Sequence, residues 1–114
     1  MSSPILVLTT FPDIDTAQRL SEQMVQAKLA ACVNIVPAGH SIYIWKGKIC
    51  KETEHIALIK TTDNCYPELE LYIQEQHPYE LPEIISTPIT GGSKNYLDWL
   101  MNGLTNELTT NTTS

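Results

Sequence analysis

The chain has 114 residues, of which 42% are hydrophobic, and its 13 acidic residues outnumber the 7 basic ones to give a formal net charge of −6. This length and composition are typical of one globular domain that can bury a core, and we expect that domain to span residues 1–107. Because no basic cluster occurs, the composition argues against nucleic acid and anionic membrane surfaces as partners.

We expect a cytoplasmic protein without a membrane span. The longest apolar stretches, such as Ile5 to Leu8 and Leu29 to Val33, are far shorter than the roughly 20 residues of a membrane helix. The segment MSSPILVLTTF lacks the positive charges of a secretory leader. The three cysteines are odd in number and lack CxxC spacing, which predicts reduced thiols. Residues 108–114 are polar and aperiodic, so we expect a disordered tail there.

The first elements predicted along the chain are a strand and a helix. Ile5 to Leu8, extended by two threonines, is an uninterrupted apolar run of the kind found in central strands. Asp15 is a capping signal, and apolar residues then recur at helical spacing as far as Lys28. We therefore expect an amphipathic helix of about four turns after the first strand.

Residues 32–45 and 49–61 predict the two strands of a long hairpin. Lys46-Gly47 predicts the turn between them, and the segment 37–39 predicts a bulge or bend in the first strand. In HSIYIW the alternation of side chains places two isoleucines on one face and Tyr43 and Trp45 on the other. Neither face is polar, so one of them needs a partner that a monomer does not supply.

The second half of the chain predicts a helix, a strand and a last helix. Pro67 begins a helix that ends near His77, because the residue before a proline is steered away from helical geometry. Residues 83–89 predict a fourth strand, whose Pro88 favours the edge of a sheet. Ser93 is expected to cap a helix with apolar residues as far as Leu104. The order β-α-β-β-α-β plus a C-terminal helix predicts an α+β fold of the ferredoxin-like, split βαβ type.

The segment QEQHPYELPEII, residues 74–85, groups a histidine, a tyrosine and glutamates around two prolines. By residue type, His77 suits a metal ligand, a general base or a helix C-terminal residue that contacts carbonyl groups. Glu80 and Glu83 lie three residues apart in extended chain, which tends to direct them to opposite sides and disfavours a paired acid/base site. The prolines favour a stiff connection between helix and strand in each of these readings.

The remaining chemistry-bearing positions are less specific. Cys32 lies in the apolar stretch AACVNI, which favours a small buried residue, although a Cys/His dyad with His77 or His40 would also use it. No supported catalytic constellation follows, so we expect a protein that is not an enzyme. Aromatic and charged side chains of the kind shared by cores, pockets and interfaces recur at strand and flanking positions: Tyr43, Trp45, Glu54, Lys60, Tyr79 and Trp99.

Several motifs in one order resemble the divalent-cation tolerance protein family, CutA. They cover roughly residues 5–104 and are KLAACVNI (28–35), SIYIWKGKI (41–49), the strand 54–61 that ends in IKT, HPYELPEII (77–85) and YLDWL (96–100). The resemblance implies a ferredoxin-like subunit in a tight homotrimer, whose long hairpin reaches a neighbour. Such a neighbour would cover the hairpin face that a monomer leaves open and would pair the exposed sheet edge.

The resemblance also implies a role in tolerance to copper and other divalent cations, through metal binding without catalysis. The alternative that it implies is a PII-like signalling trimer, in which a small effector binds in a cleft between subunits. Eight residues match recurrent family positions and are expected around that cleft: Tyr43, Trp45, Lys60, His77, Tyr79, Glu83, Tyr96 and Trp99.

The metal ligands that the resemblance implies are Cys32 and His77, and the ion is copper or another divalent cation. Some members of the family carry a cysteine near the end of the first strand and a second histidine before HPY. Thr9 and Gln76 stand at those positions here. Both are hard, weak ligands, so they argue against a preformed copper site of that type.

Overall fold

A computed structural model describes residues 2–104, whose strands form one antiparallel sheet. The elements in chain order are β1 (Pro4–Phe11), α1 (Ile14–Gln26), β2 (Cys32–Trp45), β3 (Lys48–Thr62), α2 (Tyr66–Gln76), β4 (Ile85–Pro88) and α3 (Lys94–Met101). The strand order β2-β3-β1-β4, with antiparallel pairing throughout, confirms the predicted α+β ferredoxin-like fold. The predicted tail, residues 108–114, lies outside the described residues, and no described helix is long and apolar enough to cross a membrane.

Helix α1 begins two residues earlier than the sequence pattern indicated. Asp13, not Asp15, is the N-cap, because it has extended backbone geometry and its Oδ1 accepts a hydrogen bond from the Thr16 backbone N–H at 2.7 Å. Asp15 lies in the first turn, where its charge complements the helix dipole. The helix ends at Gln26 rather than at Lys28, which has a left-handed φ of 60°.

The core lies between one face of the sheet and the helices α1 and α2. Val7 and Phe11 of β1 are fully buried there with Leu20 of α1 and Ile73 of α2. The opposite face of the sheet is apolar but only half covered. Its residues pair across β1 and β3 and are half-buried: Leu6, Leu8, Ile56 and Leu58.

The hairpin of β2 and β3 extends beyond the rest of the sheet. Strand β1 ends at the pair Phe11↔His55, so residues 39–54 pair only within the hairpin. The predicted bulge lies between Val36 and Gly39, and the predicted turn at Lys46-Gly47 has φ of 51° and 78°. Positive φ at both central residues is the geometry of a type I′ turn, which glycine adopts at little cost.

The last strand and the last helix are shorter than predicted. Strand β4 covers Ile85–Pro88 instead of 83–89, and it lies at the edge of the sheet beside β1, as Pro88 indicated. Glu83 therefore belongs to the loop after α2. Helix α3 is capped by Ser93 as predicted but ends at Met101, although Leu104 is still buried.

Candidate functional site

A groove of about 830 Å³ lies between the protruding hairpin and the loop that follows α2. The hairpin contributes Tyr43 and Trp45, and the loop contributes most of residues 78–83. We call this space the hairpin groove. Besides these aromatic rings, three carboxylates line it: Glu54, Glu80 and Glu83. The structure thus brings together Tyr43, Trp45, Tyr79 and Glu83 of the eight residues expected around a cleft.

Glu54 is a buried carboxylate on the wall of the hairpin groove. Only 6% of this residue is exposed, although the neighbouring residues of β3 in the hairpin are polar. Its Oε2 accepts hydrogen bonds from the hydroxyl of Tyr79 at 3.0 Å and from the hydroxyl of Thr10 at 3.1 Å. These two donors compensate for much of the cost of removing a carboxylate from water. Burial and the bond to Glu54 together raise the pKa of Tyr79 well above its ordinary value.

His77 is held by two hydrogen bonds and an aromatic stack. The backbone N–H of Tyr79 donates to its Nδ1 at 3.1 Å, so the ring proton is on Nε2, which donates to the carbonyl oxygen of Thr10 at 2.6 Å. The ring of Phe11 stacks on the imidazole with 5.0 Å between centroids. Burial holds the pKa of His77 below its ordinary value of 6.5, against opposing contributions from the Thr10 bond and from Glu54.

This geometry favours the structural reading of His77 within a single chain. The residue caps the end of α2, where its backbone N–H donates to the carbonyl of Ile73, and its ring ties the following loop to β1. Both ring nitrogens are engaged, and the residue is 8% exposed. A metal ion or a substrate proton would have to displace the bond to Tyr79 to reach Nδ1. The metal-ligand role of His77 stays a prediction.

A second cluster gathers three other residues that were expected around the cleft. The Nζ of Lys60 donates to the hydroxyl of Tyr96 at 3.2 Å and lies 5.3 Å from the centre of the same ring. The rings of Tyr96 and Trp99 are 5.5 Å apart on α3. None of the three lines the hairpin groove. Because Lys60 is six residues from Glu54 along β3, the two clusters lie roughly 20 Å apart within one chain.

Cys32 belongs to this second region and not to the neighbourhood of His77. It is the first residue of β2, is half-buried, and pairs with Lys60 across the sheet. His77 bonds to the carbonyl of Thr10, and Thr10 pairs with Ile56. Ile56 is four residues from Lys60 along β3. Within residues 2–104, no group of three or more His, Cys, Asp or Glu side chains is close enough to hold a metal ion. The donor set of a single chain therefore does not fit a tight metal site.

Glu54 of the groove wall carries more weight than the sequence indicated. Glu54 stood out as one of several charged positions, but its burial depends on Thr10 and Tyr79, which are 44 and 25 residues away. Strand alternation was the available signal, because it places Glu54 on the same face as Ile56 and Leu58. A carboxylate beside these apolar side chains requires partners.

The similarity to known proteins extends over almost the whole chain. The family model described as CutA1 divalent ion tolerance protein matches residues 5–103. A divalent-cation tolerance protein CutA from Thermus thermophilus is 43% identical over 95 residues, which are 83% of this chain and 92% of that protein. A chloroplastic CutA protein from Arabidopsis thaliana is 43% identical over 102 residues, and the match spans 90% of this chain but 56% of the longer relative.

Solved structures agree with the sequence relatives. A CutA1 structure from the psychrotrophic bacterium Shewanella has a TM-score of 0.87 at 44% identity and covers 90% of this chain and 96% of its own. A CutA1 structure from Oryza sativa also has a TM-score of 0.87, at 39% identity, and covers 90% and 94%. With a family model that spans the domain, relatives above 40% identity and the same fold, this chain belongs to the CutA1 divalent ion tolerance protein family.

Proposed function

We propose that this protein is a homotrimer that binds copper or another divalent cation and acts in cation tolerance without catalysing a reaction. The family is named for divalent ion tolerance, which supports the general role. The observation that carries the proposed assembly is the protruding hairpin, where Ile42, Ile44 and Ile49 are each 69–71% exposed. Exposed apolar surface of this extent marks an interface, and a closed cyclic assembly covers it in every copy.

The proposed metal site includes Cys32 and is completed between copies. A thiolate suits soft or borderline ions such as Cu(I) and Zn(II), and Cys32 is a free, half-buried cysteine. His77 joins such a site only by giving up one of its two hydrogen bonds. Because Cys32 and His77 lie apart in one chain and residues 2–104 contain no group of three donors, the remaining donors have to come from a neighbouring copy.

Native mass spectrometry with Cu(I), Cu(II) and Zn(II) tests metal binding. The proposal predicts a saturable stoichiometry at micromolar metal that is lost in Cys32→Ala and weakened in His77→Ala. Cys50→Ala is the matched control, because that thiol lies on the hairpin, away from Cys32. Binding that is unspecific, or that is the same in all three variants, would overturn the metal proposal while leaving the assembly intact.

A second candidate function is favoured by the hairpin groove. Its volume of about 830 Å³ is within the range of small-molecule sites, and its wall combines aromatic rings with a few fixed polar groups. We infer that a small effector binds there and alters the signalling state of the assembly. Lys60 does not line this groove, so an effector that is a small anion would bind at the second cluster instead.

A thermal-shift screen of metabolites distinguishes the two effector positions. A groove ligand raises the melting temperature of the parent and of Lys60→Ala alike, whereas a ligand at the second cluster loses its effect in Lys60→Ala. The effector function fails if no metabolite of any charge raises the melting temperature.

We also propose a cytoplasmic location. Its support is the three cysteines, all of which are free thiols, as a reducing compartment maintains them. Some relatives are named for other compartments, the chloroplast and the periplasm among them. Fractionation of cells that express the full-length protein tests this location, and recovery from a compartment other than the cytoplasm would contradict it.

A further inference from the structure

We propose that the hairpin groove binds a small organic cation, an ammonium group carried on an apolar body. This inference rests on the second candidate function, and it names the chemical class of the ligand. The groove combines the two features that recognise such a cation, namely aromatic faces and nearby carboxylates.

The aromatic part of the groove is formed by three rings from two segments. Tyr43 and Trp45 lie on one face of the hairpin and are 43% and 49% exposed within a single chain. Tyr79 stands on the opposite wall with its hydroxyl fixed by Glu54. The negative faces of such rings attract a cation, most strongly when water is excluded.

The charge of the groove is negative. Glu54, Glu80 and Glu83 line it, and among residues 2–104 no lysine, arginine or histidine does so. The nearest cations along the hairpin are three exposed lysines outside the lining: Lys46, Lys48 and Lys51. A negatively charged concave surface concentrates cations and repels anions, so charge complementarity selects the sign of the ligand.

The behaviour of two tyrosines supports this electrostatic picture. Desolvation raises the pKa of Tyr43, and the charges of Cys50, Glu52 and Glu54 add to that increase. Desolvation is also the largest cause of the raised pKa of Tyr79, followed by its hydrogen bond to Glu54 and the charges of Glu54 and Glu52. Acidic groups on β3 therefore contribute, after desolvation, to the raised pKa of both phenols.

A bare metal ion fits this groove less well than an organic cation. Metal ions need several donors within bonding distance of one point, and the described residues contain no such group of three. The carboxylates of the groove are instead spread along both walls. Oε2 of Glu54 is already shared by two hydroxyl donors. A dispersed negative potential between aromatic rings suits a larger cation that is weakly hydrated.

Three probes with the same ring and different charge test the proposal on the intact protein: benzylammonium, benzyl alcohol and benzoate. Titration is followed by calorimetry and by the fluorescence of Trp45 in a Trp99→Phe variant, which leaves Trp45 as the single tryptophan. We expect saturable binding of benzylammonium at least about fivefold tighter than that of benzyl alcohol, and weaker binding still of benzoate.

Matched variants locate the binding. Glu54→Gln keeps the shape of the side chain and removes its charge, and we expect it to weaken benzylammonium about fivefold. Glu22→Gln, an exposed position on α1, is the control and should change binding less than about twofold. If Glu54→Gln fails to fold, Glu83→Gln and Trp45→Leu alter exposed side chains of the same groove and should each weaken binding.

The possible failures are distinguishable. Equal binding of benzylammonium and benzyl alcohol, or equal effects of Glu54→Gln and Glu22→Gln, would overturn the cation proposal. Preferred binding of benzoate would overturn it while leaving an effector function in place. A groove that binds none of the three probes, because a neighbouring copy fills it, would overturn it as well, and a metabolite screen without a hit would then remove the effector function too.

Discussion

The hydroxyl of Tyr79 donates to a carboxylate that has little access to water. Glu54 accepts hydrogen bonds from the hydroxyls of Tyr79 and Thr10, and Tyr79→Phe removes the first of them. We therefore expect the free energy of unfolding to fall by about 1–2 kcal/mol. Urea denaturation at one protein concentration measures this loss. Tyr43→Phe is the control, because that side chain is exposed and the described residues offer its hydroxyl no hydrogen bond. Equal losses in the two variants would contradict the role assigned to the Glu54 bond.

His77 should make stability depend on pH in a defined direction. Its pKa in the folded protein is below the ordinary value of 6.5, so the unfolded chain takes up the proton first as pH falls. The full stability contribution is present above pH 6.5 and is lost as pH falls from there towards the lower pKa of the folded state. Protonation also removes the lone pair that accepts from the Tyr79 N–H.

The comparison of His77→Gln with the parent isolates this effect from the titration of carboxylates. Between pH 7 and pH 5 the melting temperature should fall less in His77→Gln than in the parent. His40→Gln, at an exposed position, should show the same fall as the parent. A parent and a His77→Gln variant with the same pH response would show that His77 contributes nothing to it.

At the scale of residues, the sequence indicated which side chains are candidates for a site but not which contacts each of them makes. Tyr43, Trp45, Tyr79 and Glu83, four of the eight residues expected around a cleft between subunits, line one groove within a chain, and the cleft itself stays a prediction. Strand alternation indicated the face on which Glu54 lies, but its hydrogen-bond partners could not be predicted, because Thr10 and Tyr79 are far away in sequence. The same holds for His77, whose residue type allowed three roles until the positions of its two partners were known.

At the scale of elements, the start of α1 offers a direct comparison of two aspartates. Asp13 accepts a hydrogen bond from the first turn, whereas Asp15 contributes only its charge. We expect Asp13→Ala to lower the melting temperature clearly more than Asp15→Ala, because it removes both the bond and the charge. Calorimetry on the two variants checks this ranking, and the reverse order would restore Asp15 as the cap.

The elements themselves were largely predictable, because their signals are local. Local sequence patterns located the three helices and four strands of residues 2–104, and Lys46-Gly47 located the turn. The errors lie at ends: Asp13 is the cap, and β4 begins at Ile85, two residues after the predicted start. An end depends on which backbone groups find partners, and for β4 those partners belong to β1, about 80 residues earlier in the chain.

At the scale of the whole molecule, the dominant feature is the length of the hairpin relative to the body. The chain measures 55 × 27 × 22 Å over its described residues, and the hairpin tip carries Ile42, Ile44 and Ile49 into solvent. The half-covered sheet face adds Leu8 and Leu58. Burial of this surface stabilises an assembly by roughly 25 cal/mol per Å² of apolar area, less the cost of association.

A single charged residue on the hairpin should disrupt that assembly. Ile44→Lys places an ammonium group where the proposal requires apolar contact, so we expect smaller species at micromolar protein. Leu71→Lys is the matched control, because Leu71 is 54% exposed on α2, outside the hairpin. Sedimentation velocity separates the two outcomes, and loss of assembly in both variants would show that the hairpin is not the specific contact.

Light scattering coupled to size exclusion tests the central proposal most directly, since the metal site between copies depends on the assembly. The proposed trimer predicts a molar mass three times the 12.8 kDa of the chain, unchanged on dilution through the micromolar range. A folded species of 12.8 kDa under the same conditions would contradict the assembly and the metal site that it completes.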